Sequence, residues 1–254
     1  MKRIGIVVPL PGELRSLTRS KIATGTITLL TADVVVGLCG MGAERARAMG
    51  ECLLECNIAG LVSWGSAAAL HDTLAPGSLV LPTHIITANG ATLETDCDWH
   101  TRLRRSLARL VPINYQPITH CNELLCNTEQ KRRLCATHHA VAADMESAAL
   151  ASTARQYDIP FIAIRAISDS VALNLPDCVN NAMDEEGQVQ PLQVLGNVAW
   201  HPTQWPALVQ LGRGFRNAQK TLAKVSRCTG PRLLGPTNTS APAKVAGATL
   251  VRVI

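Results

Sequence analysis

The sequence predicts an α/β fold in which helices pack on a mixed, mostly parallel central sheet. At 254 residues the chain can form one large domain with a substantial core. Aromatic residues make up only 3% of the sequence, which suits helices packed on parallel strands better than a β-sandwich. The clearest local sign is a strand–helix–strand pattern, in which a helical stretch at 147–157 joins the apolar runs 140–143 and 160–167.

Acidic residues follow both of these apolar runs. Asp144 and Glu146 come after the first run, and Asp169 comes after the second. Because parallel strands end at the same edge of a sheet, we expect these acids to gather at its carboxyl edge, where open α/β folds bind ligands. Asp144 has a simpler alternative role, since an acid between a strand and a helix often caps that helix.

Another acid is expected at the same edge. Residues 4–10 predict a buried first strand, which Pro11 and Gly12 stop directly before Glu13. Glu13 would then lie near the later acids. It could equally be an N-terminal helix residue that the helix dipole favours.

Other stretches predict the remaining strands and helices. Runs of apolar and β-branched residues indicate strands, and helical spacing of apolar residues indicates helices. The predicted strands are residues 26–30, 34–38, 60–64 and 78–87, and the predicted helices are residues 43–56, 98–110, 128–137, 177–185 and 202–225. The first two of these strands flank a short connection, so we expect a hairpin there.

Two segments of small residues follow predicted strands and could bring backbone close to a ligand. Gly40 and Gly42 precede a helix, where amide groups can approach an anion or a sugar. They form an incomplete dinucleotide fingerprint, because Arg45 occupies the third glycine position. Residues 65–70 predict a tight turn in which Ser66 adds a hydroxyl, and without Gly-x-Ser-x-Gly this turn is no nucleophile elbow.

The cysteines do not indicate a metal site. The nine of them are scattered and odd in number, and none forms a Cys-x-x-Cys motif. We expect reduced, mostly buried thiols, with no metal and no cofactor.

The chain begins with a strand-like segment rather than a signal peptide and has no run of about 20 apolar residues. We therefore expect a cytoplasmic protein.

The carboxyl-terminal part is basic. Residues 187–254 contain eight lysines and arginines and no aspartate or glutamate. This charge suits an anionic surface, either a membrane or a nucleic acid, but also a solvated helix with a loose tail. A nucleic-acid motif is missing, so we expect no such partner. We divide the chain into a main domain (1–200), a basic amphipathic helix packed on it (201–226) and a flexible tail (227–254).

Two segments resemble the signature segments of the nucleoside phosphorylase superfamily. They are residues 143–149 (Ala-Asp-Met-Glu-Ser-Ala-Ala) and 165–169 (Arg-Ala-Ile-Ser-Asp), and the resemblance extends over residues 3–172. It is closest to the methylthioadenosine/S-adenosylhomocysteine nucleosidase branch, which implies a three-layer phosphorylase fold and a homo-oligomer. Residues 175–208 are similar to the extension of the hopanoid-associated phosphorylases, a subgroup linked to the release of adenine from adenosylhopane.

The resemblance implies separate roles for the acids. Cleavage of an N-glycosidic bond needs a proton on the departing purine and stabilisation of a cationic sugar. Asp169 matches the acid at purine N7, beside Ser168, and at neutral pH it can act only if its surroundings keep a proton on it. Glu146 matches the residue that binds the ribose hydroxyls, with Met145 under the ring. Glu13 matches the group that orients the attacking water.

The nucleophile stays open between water and phosphate, which would be a co-substrate rather than a cofactor. The residues matched to its site are Ser66, Ala67, Gly40 and Gly42. Ser63 stands where purine nucleoside phosphorylases have a phosphate-binding arginine, and Ala68 and Ala69 replace glycines of the nucleosidases. The resemblance thus implies release of adenine from a 5′-substituted adenosine, plausibly adenosylhopane. The alternatives are a methylthioadenosine/S-adenosylhomocysteine nucleosidase, a general purine nucleoside phosphorylase and a nucleoside-binding protein without turnover.

If the substrate carries a hopane, its pocket must open to an apolar surface. The basic helix 202–225, which has Trp205 near its start, would border that opening and could lie against the inner membrane.

Overall fold

The computed structural model describes residues 2–109, 112–175 and 205–236. Within these ranges eleven strands form one mixed sheet. The strands are β1 (Arg3–Val8), β2 (Thr26–Thr31), β3 (Val34–Leu38), β4 (Ile58–Ala69), β5 (Leu79–Val80), β6 (His84–Ile86), β7 (Thr92–Glu94), β8 (Ile113–Asn114), β9 (Ile118–His120), β10 (Ala142–Asp144) and β11 (Phe161–Asp169). The helices are α1 (Pro11–Leu14), α2 (Ala43–Leu54), α3 (Cys97–Leu107), α4 (Thr128–His138), α5 (Ser147–Gln156) and α6 (Trp205–Thr229).

The strand β4 forms the centre of the sheet. It lies between β1 and β11 and runs parallel to both, with Val62 paired to Ile6 on one side and to Ile162 on the other. These side chains are fully buried, as expected for a parallel strand covered on both faces. The hairpin of β2 and β3 is also present, and β3 continues the sheet from β1.

Helices cover both faces of this sheet. On one face Met49 of α2 and Leu150 of α5 belong to one apolar cluster. On the other face Trp99 of α3 and Leu222 of α6 belong to a second. The result is the predicted three-layer α/β fold.

Small residues at the end of β4 belong to the strand and do not form the predicted turn. Ala68 pairs with Ala143 of β10 on one side and with Asp169 of β11 on the other. Pairing on both sides keeps the backbone extended, so the turn predicted at 65–70 was wrong. The predicted strand 78–87 is likewise split into β5 and β6, with Pro82, which cannot donate a ladder hydrogen bond, between them.

The strand–helix–strand unit also differs from its prediction. β10 pairs antiparallel with β4 and parallel with β9, and it does not pair with β11. The expectation of two parallel strands ending side by side was therefore wrong. Their acids still meet, because β10 and β11 both pair with Ala68 from opposite sides.

The long helix α6 lies against the carboxyl ends of the strands. Gly214 approaches the carbonyl oxygen of Ser168 so closely that an added Cβ would collide with it. The Gln219 amide donates to the Gly12 carbonyl at 2.8 Å. α6 is thereby fixed both to the turn that holds Glu13 and to the strand that ends in Asp169.

The chain stays packed for some residues beyond α6. The Trp99 indole donates to the carbonyl of the buried Leu233 at 2.7 Å, so the expected loose tail does not begin before this point. The rest of the predicted tail, the helix predicted at 177–185 and the boundary at residue 200 lie outside the described residues, and the division into domains stays a prediction.

Among the described helices, none combines the length and apolarity needed to cross a membrane. The eight cysteines in the described ranges have free thiols.

The close approach of α6 to β11 can be tested with two glycines of the same helix. Gly214→Ala should lower the free energy of unfolding by about 1–3 kcal/mol, because the new methyl group has no room beside Ser168. Gly212→Ala meets nothing within 4 Å and should instead raise it by up to about 1 kcal/mol, through helix propensity alone. Urea denaturation measures both, and a stabilised Gly214→Ala variant would contradict the packing described here.

Candidate active site

A cavity of about 680 Å³ lies where α1, the end of β4, β10, β11 and α6 meet. All four acids of the sequence prediction line it, as do Ser66, Ala67, Met145 and Ser168. The predicted glycines contribute less directly, since Met41 between them lines the cavity and Gly42 holds one of the acids. The structure thus brings together residues from sequence positions 13 to 169.

Glu13 is held by donors on one side of the cavity. Its carboxylate accepts hydrogen bonds from the Ser66 amide at 2.7 Å, from the Ser66 hydroxyl at 2.6 Å and from the Leu10 amide at 3.1 Å. Burial raises the pKa of Glu13, and the bonds from Ser66 and the charge of Arg165 only partly oppose this effect. A carboxylate whose pKa is raised is a stronger base than an ordinary glutamate and is suited to accept a proton.

Glu146 lies at the start of α5 and has different partners. The Gly42 amide donates to Oε1 at 2.9 Å, and Arg165 Nη2 lies 3.7 Å from Oε2. Gly42 has a φ of 103°, a left-handed conformation that glycine adopts without strain. The pKa of Glu146 is raised to about 7. Burial is the main cause, the charge of Arg165 opposes it, and the charge of Asp144 adds to it.

The predicted cap is present at Asp144. Its Oδ1 accepts the amide hydrogens of Glu146 at 3.1 Å and Ser147 at 2.9 Å, at the first turn of α5. Its Oδ2 also forms an ion pair with Arg165 Nε at 2.6 Å. Asp144 therefore connects the helix to the arginine as well as capping it.

Arg165 is a site residue to which the sequence analysis gave no role. It is fully buried in β11, and its Nη2 donates to the Ser63 hydroxyl at 2.6 Å and to the Ser147 hydroxyl at 3.0 Å. Its Nη1 is buried and, among the described residues, has no hydrogen-bond partner. The available sequence signal was an arginine inside an otherwise apolar strand, because a buried charge needs partners.

Arg165 Nη1 occupies space that is free because residue 65 is a glycine. A Cβ on Gly65 would collide with Arg165 Nη1 and would lie 3.0 Å from Glu13 Oε2. Gly65 therefore leaves the space in which the guanidinium and the Glu13 carboxylate face each other.

Asp169 has a hydrogen-bond donor on each oxygen. The Ser168 hydroxyl donates to Oδ1 at 2.8 Å. Lys131 Nζ donates to Oδ2 at 2.6 Å. The sequence analysis did not expect the second donor, an ammonium group in direct contact with the carboxyl group. The roles given to Ser168 and Asp169 stay predictions.

Lys131 had no distinguishing sequence signal. It lies in the run 129–133, where glutamate, glutamine, lysine and two arginines follow one another on a predicted helix. Such a run usually indicates a solvated face. Lys131 is instead fully buried, while its neighbours Arg132 and Arg133 are exposed.

Apolar side chains from separate segments also line the cavity. They include Leu10, Leu124, Leu125, Leu175, Leu208, Leu211 and Phe215. The last three belong to α6, which therefore borders the cavity.

The fold and the site define an α/β enzyme of the acid–base type. Buried carboxylates with shifted pKa values that converge in one cavity are typical of catalytic centres. The sequence model of the phosphorylase superfamily matches residues 3–190, and the chain belongs to this superfamily. The predicted family and the predicted enzyme class, which acts on N-glycosidic bonds, are confirmed.

Relatives and solved structures agree with this assignment. The 5′-methylthioadenosine/S-adenosylhomocysteine nucleosidase of Buchnera aphidicola is 27% identical over an alignment that covers 69% of this chain and 81% of the relative. The fold matches the same-named nucleosidase of Neisseria meningitidis in complex with methylthio-immucillin-A, with a TM-score of 0.67, 18% identity and coverage of 88% of this chain and 96% of that one. It also matches the futalosine hydrolase of Helicobacter pylori, with a TM-score of 0.67, 14% identity and coverage of 88% and 94%.

Proposed function

We propose that this protein releases adenine from a 5′-substituted adenosine by cleaving its N-glycosidic bond. The observation that carries the proposal is the convergence of Glu13, Glu146 and Asp169 in one cavity, each with its own set of partners. Three acids with distinct surroundings fit the three tasks of the reaction, which are activation of a nucleophile, binding of the sugar and protonation of the base. Relatives named as nucleosidases of adenosine derivatives support the same substrate class.

In the proposed reaction each proton has a donor and an acceptor. Asp169 gives a proton to purine N7 as the electron pair of the C1′–N9 bond moves into the base. Glu146 accepts the ribose hydroxyl hydrogens and offsets the positive charge that develops on the sugar. Water adds to C1′ and gives its proton to Glu13, while Met145 packs beneath the ribose.

Water is the nucleophile that we favour over phosphate. The side chains from α1 and β4 next to the proposed nucleophile position are the Glu13 carboxylate and the Ser66 hydroxyl. A phosphate dianion would lie against a carboxylate, and the nearby cation, Arg165, already has Asp144 and Glu146 as ion-pair partners. Phosphorolysis is the alternative, and its signature would be phosphate dependence.

The size and apolarity of the cavity favour a bulky, apolar 5′ substituent. The whole cavity has a volume of about 680 Å³, and Leu208, Leu211 and Phe215 form its wall on the side of α6. Such a wall suits a hydrocarbon better than the charged amino-acid end of S-adenosylhomocysteine. With the similarity of residues 175–208 to the hopanoid-associated extension, this points to adenosylhopane, with methylthioadenosine as the smaller alternative.

The primary test measures adenine release from adenosylhopane, methylthioadenosine, S-adenosylhomocysteine and adenosine, with and without phosphate. We expect adenosylhopane to be cleaved with the highest kcat/KM and without phosphate. Asp169→Asn should lower kcat by about 10²–10⁴-fold, because the amide has no acidic proton to give. A folded wild-type protein that binds adenosine but releases no adenine would favour the binding-protein alternative.

The pH dependence of this activity should report Glu146. The ionised form that accepts the ribose hydroxyls is complete only above its raised pKa of about 7 and is lost as the pH falls through that value. We predict that kcat/KM falls by about tenfold per pH unit below that point. Glu146→Gln should be less active and lose this ionisation, leaving only that of Glu13. Glu51→Gln, at an exposed position of α2 outside the cavity lining, is the matched control and should keep the wild-type profile.

A lipid substrate implies contact with a membrane surface. At the start of α6 Trp205 and Val209 are 53% and 51% exposed, one turn from Leu208 and Leu211 in the cavity wall. We propose that this end of α6 rests on the anionic inner membrane, with Arg213 and Arg216 on the following turns facing its headgroups.

A homo-oligomer, expected from the family, stays a prediction.

Cosedimentation with vesicles tests this contact. The protein should bind vesicles containing phosphatidylglycerol and bind vesicles of phosphatidylcholine much less. Replacing Trp205, Arg213 and Arg216 by alanine together should reduce the bound fraction several-fold, since each basic residue near the surface contributes about 1 kcal/mol. Replacing the exposed Arg132 and Arg133 of α4 by alanine removes the same charge elsewhere and should leave binding unchanged. Equal binding by both variants would contradict the proposed role of α6.

A further inference from the structure

Lys131 touches the proposed acid but has no part in the reaction described above. Its Nζ donates to Asp169 Oδ2 at 2.6 Å, to the Ser170 carbonyl at 2.8 Å and to the Leu173 carbonyl at 3.0 Å. An ammonium group has three hydrogens, so each of them has an acceptor. The side chain is fully buried, and burying a lysine requires that its charge be compensated.

The helix that carries Lys131 is fixed to the segment that follows Asp169. The Thr128 hydroxyl donates to the Val171 carbonyl at 3.0 Å, and the Thr128 amide donates to Asn174 Oδ1 at 3.0 Å. Asn127 caps this helix through the Gln130 amide at 2.9 Å. These hydrogen bonds hold α4 in place beside the segment after Asp169, and they thereby position Lys131 Nζ against the Asp169 carboxyl group.

The two donors on Asp169 fit the carboxylate better than the acid. Ser168 donates to Oδ1 and Lys131 donates to Oδ2, so both oxygens are placed to carry negative charge. A carboxylic acid has a hydrogen on one oxygen, which would compete with a donor there. The surroundings of Asp169 therefore match the state that exists after its proton has left.

We propose that Lys131 is a positioning residue for protonation of the leaving purine. As the O–H bond of Asp169 breaks and the N7–H bond forms, the carboxylate that appears is stabilised by the Lys131 ammonium, which keeps all three of its own hydrogens. An interaction that strengthens as this charge develops lowers the barrier of the chemical step. This inference rests on the proposed adenine release and adds to it the group that stabilises the Asp169 carboxylate as its proton moves to N7.

The alternative is that Lys131 only anchors the segment after β11. The two roles differ in their dependence on the leaving group. Nitrophenolate leaves from 4-nitrophenyl riboside without protonation, so that substrate needs an intact site but no acid. A positioning role affects adenine release alone, whereas loss of an anchor affects both substrates.

The experiment compares the full-length wild-type protein with Lys131→Met on both substrates. We expect the variant to lower kcat for adenine release by about 10²-fold, with KM within a few-fold, since one transition-state donor is removed. Turnover of 4-nitrophenyl riboside should stay within a few-fold of wild type. Arg132→Met, an exposed neighbour on the same helix, is the matched control and should change neither rate. Equal losses on the two substrates, or no loss on either, would overturn the proposal.

A double-mutant cycle adds an independent outcome. With Asp169→Asn already present, Lys131→Met should lower adenine release by less than about threefold, because the two residues act as one unit. A full further loss in that background would show that Lys131 acts without Asp169. If Lys131→Met does not fold, Lys131→Gln keeps hydrogen-bond donors without the charge and gives the same comparison. A wild-type protein that releases no adenine would overturn the proposed function together with this inference, whereas an active wild type with an unaffected Lys131 variant would overturn the inference alone.

Discussion

The ion pairs of the buried Arg165 guanidinium are the interactions on which the positions of Asp144 and Glu146 depend. The guanidinium forms an ion pair with Asp144 at 2.6 Å and lies 3.7 Å from Glu146, and only Gly65 leaves room for it beside Glu13. One cation cannot balance three buried carboxylates, because taking each charge out of water is costly. Burial raises the pKa of Glu13, and burial together with the charge of Asp144 brings that of Glu146 to about 7. The same arrangement that holds these side chains therefore makes Glu146 responsive to protons near neutral pH.

The end of β4 fixes where these charged side chains lie. Ala68 lies between β10 and β11, so Asp144 and Asp169 approach from opposite sides although their strands are not neighbours. Ser66 faces Glu13 with its amide and hydroxyl. On the open side, Gly214 lets α6 lie against Ser168 and close the cavity with apolar side chains. A site of this kind needs small residues in the strand and in the helix, and the sequence has them at both places.

The sequence predicted the acids well because their position depends on local pattern. An acid directly after a buried strand lies at the end of that strand, which is true of Asp144 and Asp169 whatever the strand order, whereas Glu13 lies in the short helix α1 that follows β1. The direction of β10 and the continuation of β4 depend on which strands pair, and pairing is a long-range property. Lys131 was missed for a similar reason. Lys131 resembles its exposed neighbours in sequence, and only the docking of α4 onto the segment after Asp169 makes it different.

The two buried cations divide the cavity into two electrostatic regions. Arg165 forms ion pairs with Asp144 and Glu146, whereas the ion-pair partner of Lys131, among the described residues, is Asp169. In the proposed reaction these regions have opposite needs. The sugar becomes positive and is helped by acids with incomplete compensation, while the acid at the purine becomes negative and is helped by a cation of its own. A glycosidic bond placed between them is polarised in the direction in which it breaks, which gives a physical reason for two separate buried cations beside one small cavity.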